Sequence, residues 1–259
     1  MPDSPAIDLK ATLDHFFEHG YARLGKIASE AELQELRTRA DDLMLGRVRY
    51  DDLFFQLDTE SGEYRDLQFG LGYQGPSLNY RKVEKLEKDP LFRRWIQLPV
   101  FEQIAKAIYP GGVSVYRALL VTKAAETGGT HLPWHQDGGL FWGLDRDPTL
   151  QVWTALDDAP IEAGCVEVYP GSHRRGLARP VGGVVPPEMV NQTSAESEAL
   201  ALPVEAGEVL LIHNYIWHRS GVNKTGKPRR AFTVCYMNDE TRCLRKKRAP
   251  RNFFRAFEK

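Results

Sequence analysis

The chain has 259 residues, a length that one jelly-roll domain reaches, so a single domain (1–259) is expected. Its 34 Lys and Arg residues nearly balance 35 Asp and Glu residues, which leaves no overall field to draw the protein to nucleic acid or to an anionic membrane. Three cysteines without C-x-x-C spacing argue against a disulfide framework and a cysteine-rich zinc site. The N-terminus also lacks the basic-then-apolar order of a signal peptide, so we expect a cytoplasmic protein. The balanced charge makes a small molecule the expected partner.

Helical patterns dominate residues 1–112, which we expect to form a mostly helical support region. One helix is predicted over roughly 9–19. A second begins after Ser29, because Ser29 and Glu32 form an S-x-x-E capping box ahead of an apolar run. A third helical stretch is predicted over 89–108, where apolar residues recur at helical intervals.

Short runs rich in Val, Ile, Thr and aromatic residues follow from residue 113 and predict strands. Their close spacing predicts a β-sandwich or jelly roll over 113–241, with the N-terminal helices packed on one sheet. The segment 179–200 is too long for a simple hairpin, so it is either a disordered insertion or a lid over a site. The predicted strands are VSVYRALLVTK, LQVWTALDD, GCVEVYPGS, EVLLIHNYIWH and RAFTVCYMN.

The sequence LPWHQDGG contains a candidate metal site. His135 and Asp137 are two residues apart, which on a strand directs both side chains to one face. His218 ends the strand-like run EVLLIHNYIWH, 83 residues after His135, and antiparallel pairing would bring it alongside them. Two imidazoles and one carboxylate leave positions open on iron(II) for oxygen and an organic co-substrate. An H-x-D triplet also occurs by chance, and His131 and His213 compete as ligands, although neither has a carboxylate two residues on.

A second motif, HRSGVNKTGKPRRAFTV, follows His218. Arg229 lies eleven residues past that histidine, where it can face the metal across a hairpin and hold a carboxylate with two hydrogen bonds. The alternative is that Arg229 and Arg230 form a solvated pair that protects a strand edge from aggregation.

Together these segments resemble the phytanoyl-CoA dioxygenase family of iron(II)- and 2-oxoglutarate-dependent oxygenases, which implies a double-stranded β-helix (jelly-roll, cupin-like) core. The resemblance covers most of the chain and rests on GYARLGKIASEAELQELR, PWHQDGG, QVWTALDDAPIEAGCVEVYPGSHRRG and the H-x-S-G-x-N-x-T motif that leads to Arg229. Carried over by position, it implies His135, Asp137 and His218 as metal ligands and catalytic centre, and Arg229, Ser220, Trp153 and Lys82 as co-substrate contacts.

The resemblance implies that the protein uses iron(II), O2 and 2-oxoglutarate to hydroxylate a C–H bond of a small organic substrate, with release of succinate and CO2. Two alternatives remain at this stage. A cupin-like hydrolase or isomerase would use the metal ligands but not Arg229, and a non-catalytic barrel would need neither.

Candidate substrate contacts flank the metal motif. Trp134, Gln136, Phe141 and Trp142 line a pocket on one interpretation and are ordinary core residues on the other. Arg117 is predicted either to bind an anionic substrate group or to be an exposed strand charge.

The segment 242–259 is a basic and aromatic tail. Its charges would dock a CoA-linked or carrier-linked substrate, or would simply be solvated. Its phenylalanines would tie it to the body or to a second subunit, which makes a homo-oligomer possible. The residues concerned are Arg242, Arg245, Lys246, Lys247, Arg248, Arg251, Phe253, Phe254 and Phe257.

Overall fold

The computed structural model of the protein describes residues 7–245 and 251–259. Helices gather at the start of the chain and a short one lies late in it. They are α1 (Leu9–His19), α2 (Glu30–Met44), α3 (Pro90–Ile96), α4 (Pro99–Ile108) and α5 (Pro187–Asn191). Among the described residues, none of the helices combines the length and the apolar character needed to cross a bilayer.

Strands make up the rest of the architecture. In chain order they are β1 (Tyr21–Lys26), β2 (Phe54–Leu57), β3 (Tyr80–Glu84), β4 (Val113–Lys123), β5 (Leu132–Gln136), β6 (Leu150–Ala155), β7 (Val166–Tyr169), β8 (Gly183–Val184), β9 (Leu200–Leu202), β10 (Glu208–His213), β11 (Trp217–Ser220), β12 (Arg229–Asn238) and β13 (Phe254–Phe257).

Two antiparallel sheets contain these strands. The larger has the order β1-β10-β6-β12-β4-β3-β2, with β13 also paired to β4, and the smaller has the order β8-β5-β11-β7-β9. This arrangement confirms the predicted jelly-roll core.

The first two predicted helices form as expected. Ser29 caps α2 with the predicted capping box, in which its hydroxyl accepts from the Glu32 backbone while the Glu32 carboxylate accepts from the Ser29 backbone. The third predicted helix is wrong as one piece, because it divides into α3 and α4. Pro99 has no N–H to donate and disfavours helical geometry at Leu98, so the chain turns there and Pro99 starts a new helix.

Two further expectations need correction. The region 1–112 is not only helical support, because it supplies β1, β2 and β3 to the larger sheet. The run EVLLIHNYIWH is two strands rather than one: β10 ends at His213 in the larger sheet, and β11 begins at Trp217 in the smaller one. Apolar residues on both sides hid the turn between them, since β10 is buried at four of its six positions and Ile216 and Trp217 are buried after the turn.

The main core lies between the helices and the outer face of the larger sheet. Phe16 of α1, Leu36 of α2, Phe92 of α3 and Phe232 of β12 are all essentially inaccessible to solvent. Each such side chain contributes roughly 1.5–3 kcal/mol through burial. The helices therefore hold the larger sheet in place, and its other face is free to line a cavity.

Alternation along β4 separates these two faces. Ala118 and Leu120 pack into the core beneath the helices. Arg117, Leu119 and Lys123 point the other way and border the cavity between the sheets.

The end of the chain returns to the larger sheet. β13 pairs with the start of β4, and Phe257 is buried there, so the tail is tied to the body of the same chain. The predicted basic residues Lys246, Lys247 and Arg248 lie outside the described residues.

Candidate metal centre and cavity

His135, Asp137 and His218 converge at one point between the sheets. β5 and β11 pair antiparallel with His135 directly opposite His218, and their ring centroids are 3.9 Å apart. Asp137 follows β5, with Oδ2 3.7 Å from Nε2 of His218. One potential ligand atom from each residue lies within 4.8 Å of the others. Since bonds of about 2.1 Å place the ligands of one ion no more than about 4.2 Å apart, small side-chain rotations bring all three onto one metal.

Backbone carbonyls orient both imidazoles. Nδ1 of His135 lies 2.9 Å from the Pro133 carbonyl oxygen, and Nδ1 of His218 lies 3.0 Å from that of Ile216. A carbonyl only accepts hydrogen bonds, so each Nδ1 carries the proton and each Nε2 keeps its lone pair. This is the tautomer that a metal bound through Nε2 requires.

Asp137 is held from two sides. Nε2 of Gln151 donates to its Oδ2 at 2.6 Å, and its backbone N–H donates to the Asn214 carbonyl at 2.8 Å. Gln151 was not predicted, although it shares a face of β6 with Trp153 two residues on, and that alternation is the signal that would have identified it. One Asp137 oxygen is therefore oriented by the protein.

The protonation states also suit a metal. Burial, together with the neighbouring His218, lowers the pKa of His135 to about 3, so His135 is neutral at pH 7. Burial alone would raise the pKa of Asp137, but electrostatic attraction to His218, His135 and Arg117 and the hydrogen bond from Gln151 hold it below its usual value. Two imidazoles that each present Nε2 and one carboxylate form a donor set that fits iron(II) with open positions.

A cavity of about 270 Å³ adjoins this centre. Every site residue predicted from the sequence borders it except Trp134. The side chain of Trp134 points to the other face of β5, where it packs with Tyr169 and Trp217 and donates from Nε1 to Glu196 at 2.8 Å. The prediction of Trp134 as a pocket residue is therefore corrected by strand alternation.

Gln136 borders the cavity, but its side chain is committed elsewhere. Its amide nitrogen donates to the carbonyls of Gly176 and Tyr215, and its amide oxygen accepts from the Ala178 N–H. These bonds join the end of β5 to two loops, so Gln136 supports the site instead of facing a substrate.

Arg229 faces the cavity from β12. Only 3% of it is exposed, and burial lowers its pKa to about 10, so it stays cationic at pH 7. Nη2 donates to the Gly164 carbonyl at 3.0 Å, and the guanidinium lies 5.8 Å from the Trp153 ring centroid. Its buried Nε has no hydrogen-bond partner among the described residues. An unsatisfied guanidinium N–H facing a cavity fits a carboxylate ligand, as 2-oxoglutarate would provide.

Three more polar residues border the same space. Ser220 is buried on β11. Burial lowers the pKa of Lys82 to about 8, although its Nζ lies 3.5 Å from Glu84. Lys123 was not predicted; it pairs in register with Arg229, and its Nζ donates to the Thr130 carbonyl at 2.7 Å. Lys123 lies six residues after Arg117 on β4, and an even spacing places both side chains on the same face of the strand. That spacing is the signal that would have identified it.

The segment 179–200 forms one wall of the site. β8 pairs with β5 so that Val184 lies opposite His135, and Gly183 and Val184 border the cavity. Val185 and Val190 are buried beneath it. The disordered alternative is therefore wrong, while movement of the segment as a lid stays a prediction.

The competing histidines are elsewhere. His131 is exposed, and His213 packs against His173 with ring centroids 4.6 Å apart. Neither belongs to the candidate metal cluster that the described residues form.

Comparison with known proteins identifies the family. Residues 16–231 match the sequence model of the family described as Phytanoyl-CoA dioxygenase (PhyH). A phytanoyl-CoA dioxygenase of Arabidopsis thaliana is 25% identical over 245 residues, 86% of each chain. Phytanoyl-CoA dioxygenase domain-containing protein 1 of Danio rerio is 28% identical over 276 residues, 94% of this chain and 93% of that protein.

Solved structures share the fold. EctD from S. alaskensis, solved with 2-oxoglutarate and 5-hydroxyectoine, has a TM-score of 0.73 at 21% identity, over 100% of this chain and 86% of EctD. The epimerase SnoN, solved with Fe3+, alpha ketoglutarate and nogalamycin RO, has a TM-score of 0.70 at 16% identity, over 96% and 97%. The chain therefore belongs to the phytanoyl-CoA dioxygenase family and is an iron(II)- and 2-oxoglutarate-dependent dioxygenase.

Proposed function

We propose that this phytanoyl-CoA dioxygenase family member binds iron(II) through His135, Asp137 and His218 and hydroxylates a C–H bond of a small organic substrate. The observation that carries the proposal is that these three side chains open onto the same cavity as Arg229. A cupin-like hydrolase or a non-catalytic barrel has no use for that combination.

Bound iron(II) with 2-oxoglutarate supplies oxidation of an unactivated C–H bond by O2, with succinate and CO2 as products. The protein contributes orientation and a dry site. His135 and His218 offer oriented Nε2 lone pairs, because their Nδ1 protons are bonded to backbone carbonyls. Gln151 holds one oxygen of Asp137, so the carboxylate keeps a fixed position.

The far carboxylate of 2-oxoglutarate is assigned to Arg229, with Ser220 beside it. The unpartnered Nε of Arg229 supports this assignment, since a buried donor gains most from a charged acceptor. Trp153 flanks the guanidinium, and Lys82 adds positive charge to the same space. These contacts fix which end of the dicarboxylate faces the metal.

The size of the cavity limits the substrate. About 270 Å³ is near the lower end for ligand pockets, so a small molecule, or only the reacting end of a longer one, fits inside. A CoA or carrier arm would remain outside. Arg245 supports such docking, because it donates to the carbonyl of Phe141, whose side chain borders the cavity and is 69% exposed.

The direct test is conversion of 2-oxoglutarate to succinate without added substrate. Iron(II) should support turnover in the wild type, and His135→Ala should abolish both turnover and retention of iron. His131→Ala is the matched control, because this exposed histidine lies outside the cluster. Turnover that survives loss of His135, or that zinc supports, would defeat the assignment.

A further inference from the structure

Arg117 is a second guanidinium on the inner face of the larger sheet. It projects from β4 into the cavity, and its Nε is buried. Within the part of the chain that the structure describes, this Nε has no hydrogen-bond partner, and the guanidinium forms no ion pair. Its guanidinium carbon lies 4.8 Å from the Trp142 ring centroid and 5.4 Å from that of Tyr116. Stacking on aromatic rings occupies the flat face of a guanidinium and leaves its N–H edge available.

Other cations that border the cavity already have acceptors among the described residues. Lys82 lies near Glu84, Arg219 pairs with Glu167 and Glu196, Lys123 donates to Thr130, Arg81 donates to Gln56, and Arg229 donates to Gly164. Arg117 differs from all of these. Glu84 and Asp137 raise its pKa against the opposing effect of burial, yet neither forms an ion pair with it.

The charges of the loaded site leave Arg117 without an ion-pair partner among the described residues. Two positive charges on iron(II) are matched by Asp137 and by the keto-acid carboxylate of 2-oxoglutarate. The far carboxylate is matched by Arg229. Glu84 forms its ion pair with Lys82, at 3.5 Å, although the charge of Arg117 also acts on it. Arg117 therefore feels a nearby carboxylate without pairing with it, and its N–H donors remain available to a further anion.

Arg117 also lies in the right place for the oxidised substrate. On the inner face, Arg117 of β4 lies opposite Cys235 of β12, which in turn lies opposite Gln151 of β6. Gln151 donates a hydrogen bond to Asp137. Two strand spacings, about 10 Å, therefore separate the Arg117 and Gln151 backbones. Arg229 lies opposite Lys123, six residues from Arg117 along β4, or about 20 Å. One bound 2-oxoglutarate cannot use both arginines while it chelates the metal.

We propose that Arg117 binds a carboxylate of the oxidised substrate, which is therefore a small carboxylic acid with an apolar body. This inference rests on the proposed function. Leu119, Val121 and Trp142 border the same cavity and supply apolar wall for the body of such a substrate. Arg117 is the one cation bordering the cavity that has no acceptor among the described residues, which suits a carboxylate better than a phosphate dianion, since a dianion would need a second free donor group.

The test is calorimetric binding to protein loaded with nickel(II) and saturating 2-oxoglutarate. The probes are butanoate, hexanoate, octanoate and 3-phenylpropanoate, each compared with its neutral amide. At least one acid should bind ten-fold or more tightly than its amide, since charge-assisted hydrogen bonds are the strong ones. Arg117→Gln should remove that preference and leave 2-oxoglutarate affinity unchanged, and Arg117→Lys should retain part of it.

The matched control is Arg219→Gln, because Arg219 borders the cavity with its charge already paired. Acids that bind no better than amides, a preference that survives Arg117→Gln, or tighter binding of phenyl phosphate would each overturn the proposal. The same titrations on metal-free Arg229→Gln protein test Arg117 independently of the proposed iron and 2-oxoglutarate sites. An acid preference that persists there supports Arg117 even if nickel and 2-oxoglutarate do not bind the wild type as proposed.

Discussion

Arg229 and Arg230 are adjacent on β12 but face opposite sides of the larger sheet. Arg229 enters the cavity, where its Nε has no partner among the described residues. Arg230 points toward the helices and pairs with Asp157 at 2.8 Å and with Asp41 at 2.6 Å. Replacing each by glutamine therefore separates a ligand contact from a structural contact at neighbouring positions.

The expected magnitude follows from the bonds lost. A carboxylate held by a guanidinium receives two charge-assisted hydrogen bonds, each worth roughly 1.5–3 kcal/mol. Glutamine retains one weaker donor, so Arg229→Gln should cost about 3–4 kcal/mol, or roughly a 100- to 1000-fold rise in the Kd for 2-oxoglutarate. Iron affinity should change little, since Arg229 is not a candidate ligand.

Arg230→Gln should behave in the opposite way. It removes ion pairs with Asp157 and Asp41, so we expect a loss of about 1–3 kcal/mol in the free energy of unfolding with unchanged 2-oxoglutarate affinity. Calorimetric titration of nickel-loaded protein gives the Kd, and urea denaturation gives the stability. The reasoning fails if Arg230→Gln weakens co-substrate binding as much as Arg229→Gln, or if Arg229→Gln raises the iron requirement equally.

Two smaller predictions concern Lys82 and Ser29. Because burial lowers the pKa of Lys82 to about 8, 2-oxoglutarate affinity should be level below pH 8 and fall as the pH rises above it and Lys82 loses its charge. Titrations from acid to alkaline pH should show this fall in the wild type and not in Lys82→Arg, and a fall common to both would remove Lys82 from the contact set. Ser29→Ala deletes the α2 capping box and should lower the free energy of unfolding by about 1 kcal/mol in urea, with recovery in Ser29→Thr. A loss smaller than a few tenths of a kcal/mol in the free energy of unfolding would show that the cap does not stabilise the protein.

Several features could be predicted from residues that are close together in the sequence. The capping box at Ser29 marks the start of α2 because both of its bonds join residues three apart. The run VSVYRALLVTK coincides with β4, because its β-branched and aromatic residues suit a pleated strand buried on both faces. The H-x-D spacing placed His135 and Asp137 on one side of the chain for the same local reason.

Other features depended on long-range packing. The turn that moves the chain from β10 to β11 carries His218 into the smaller sheet opposite His135, and no local pattern distinguishes it from a continuous strand. The division of the third helix at Pro99 had a local cause that the apolar periodicity concealed. The sequence left Trp134 between pocket and core, and its position on the face of β5 opposite His135 decides for the core.

The sequence by itself determined the family, the jelly-roll class and the residue types that suit iron and a dicarboxylate, since these depend on motifs and on side-chain chemistry. Only the tertiary structure decided which groups share a cavity and which of them lack partners. Arg117 and Arg229 are separated by 112 positions along the chain, yet both face the space between the sheets, each with a buried Nε that lacks a partner among the described residues. Whether a charge is satisfied depends on the neighbours that strand pairing brings to it, and sheet registers, unlike helix caps, join residues far apart in sequence.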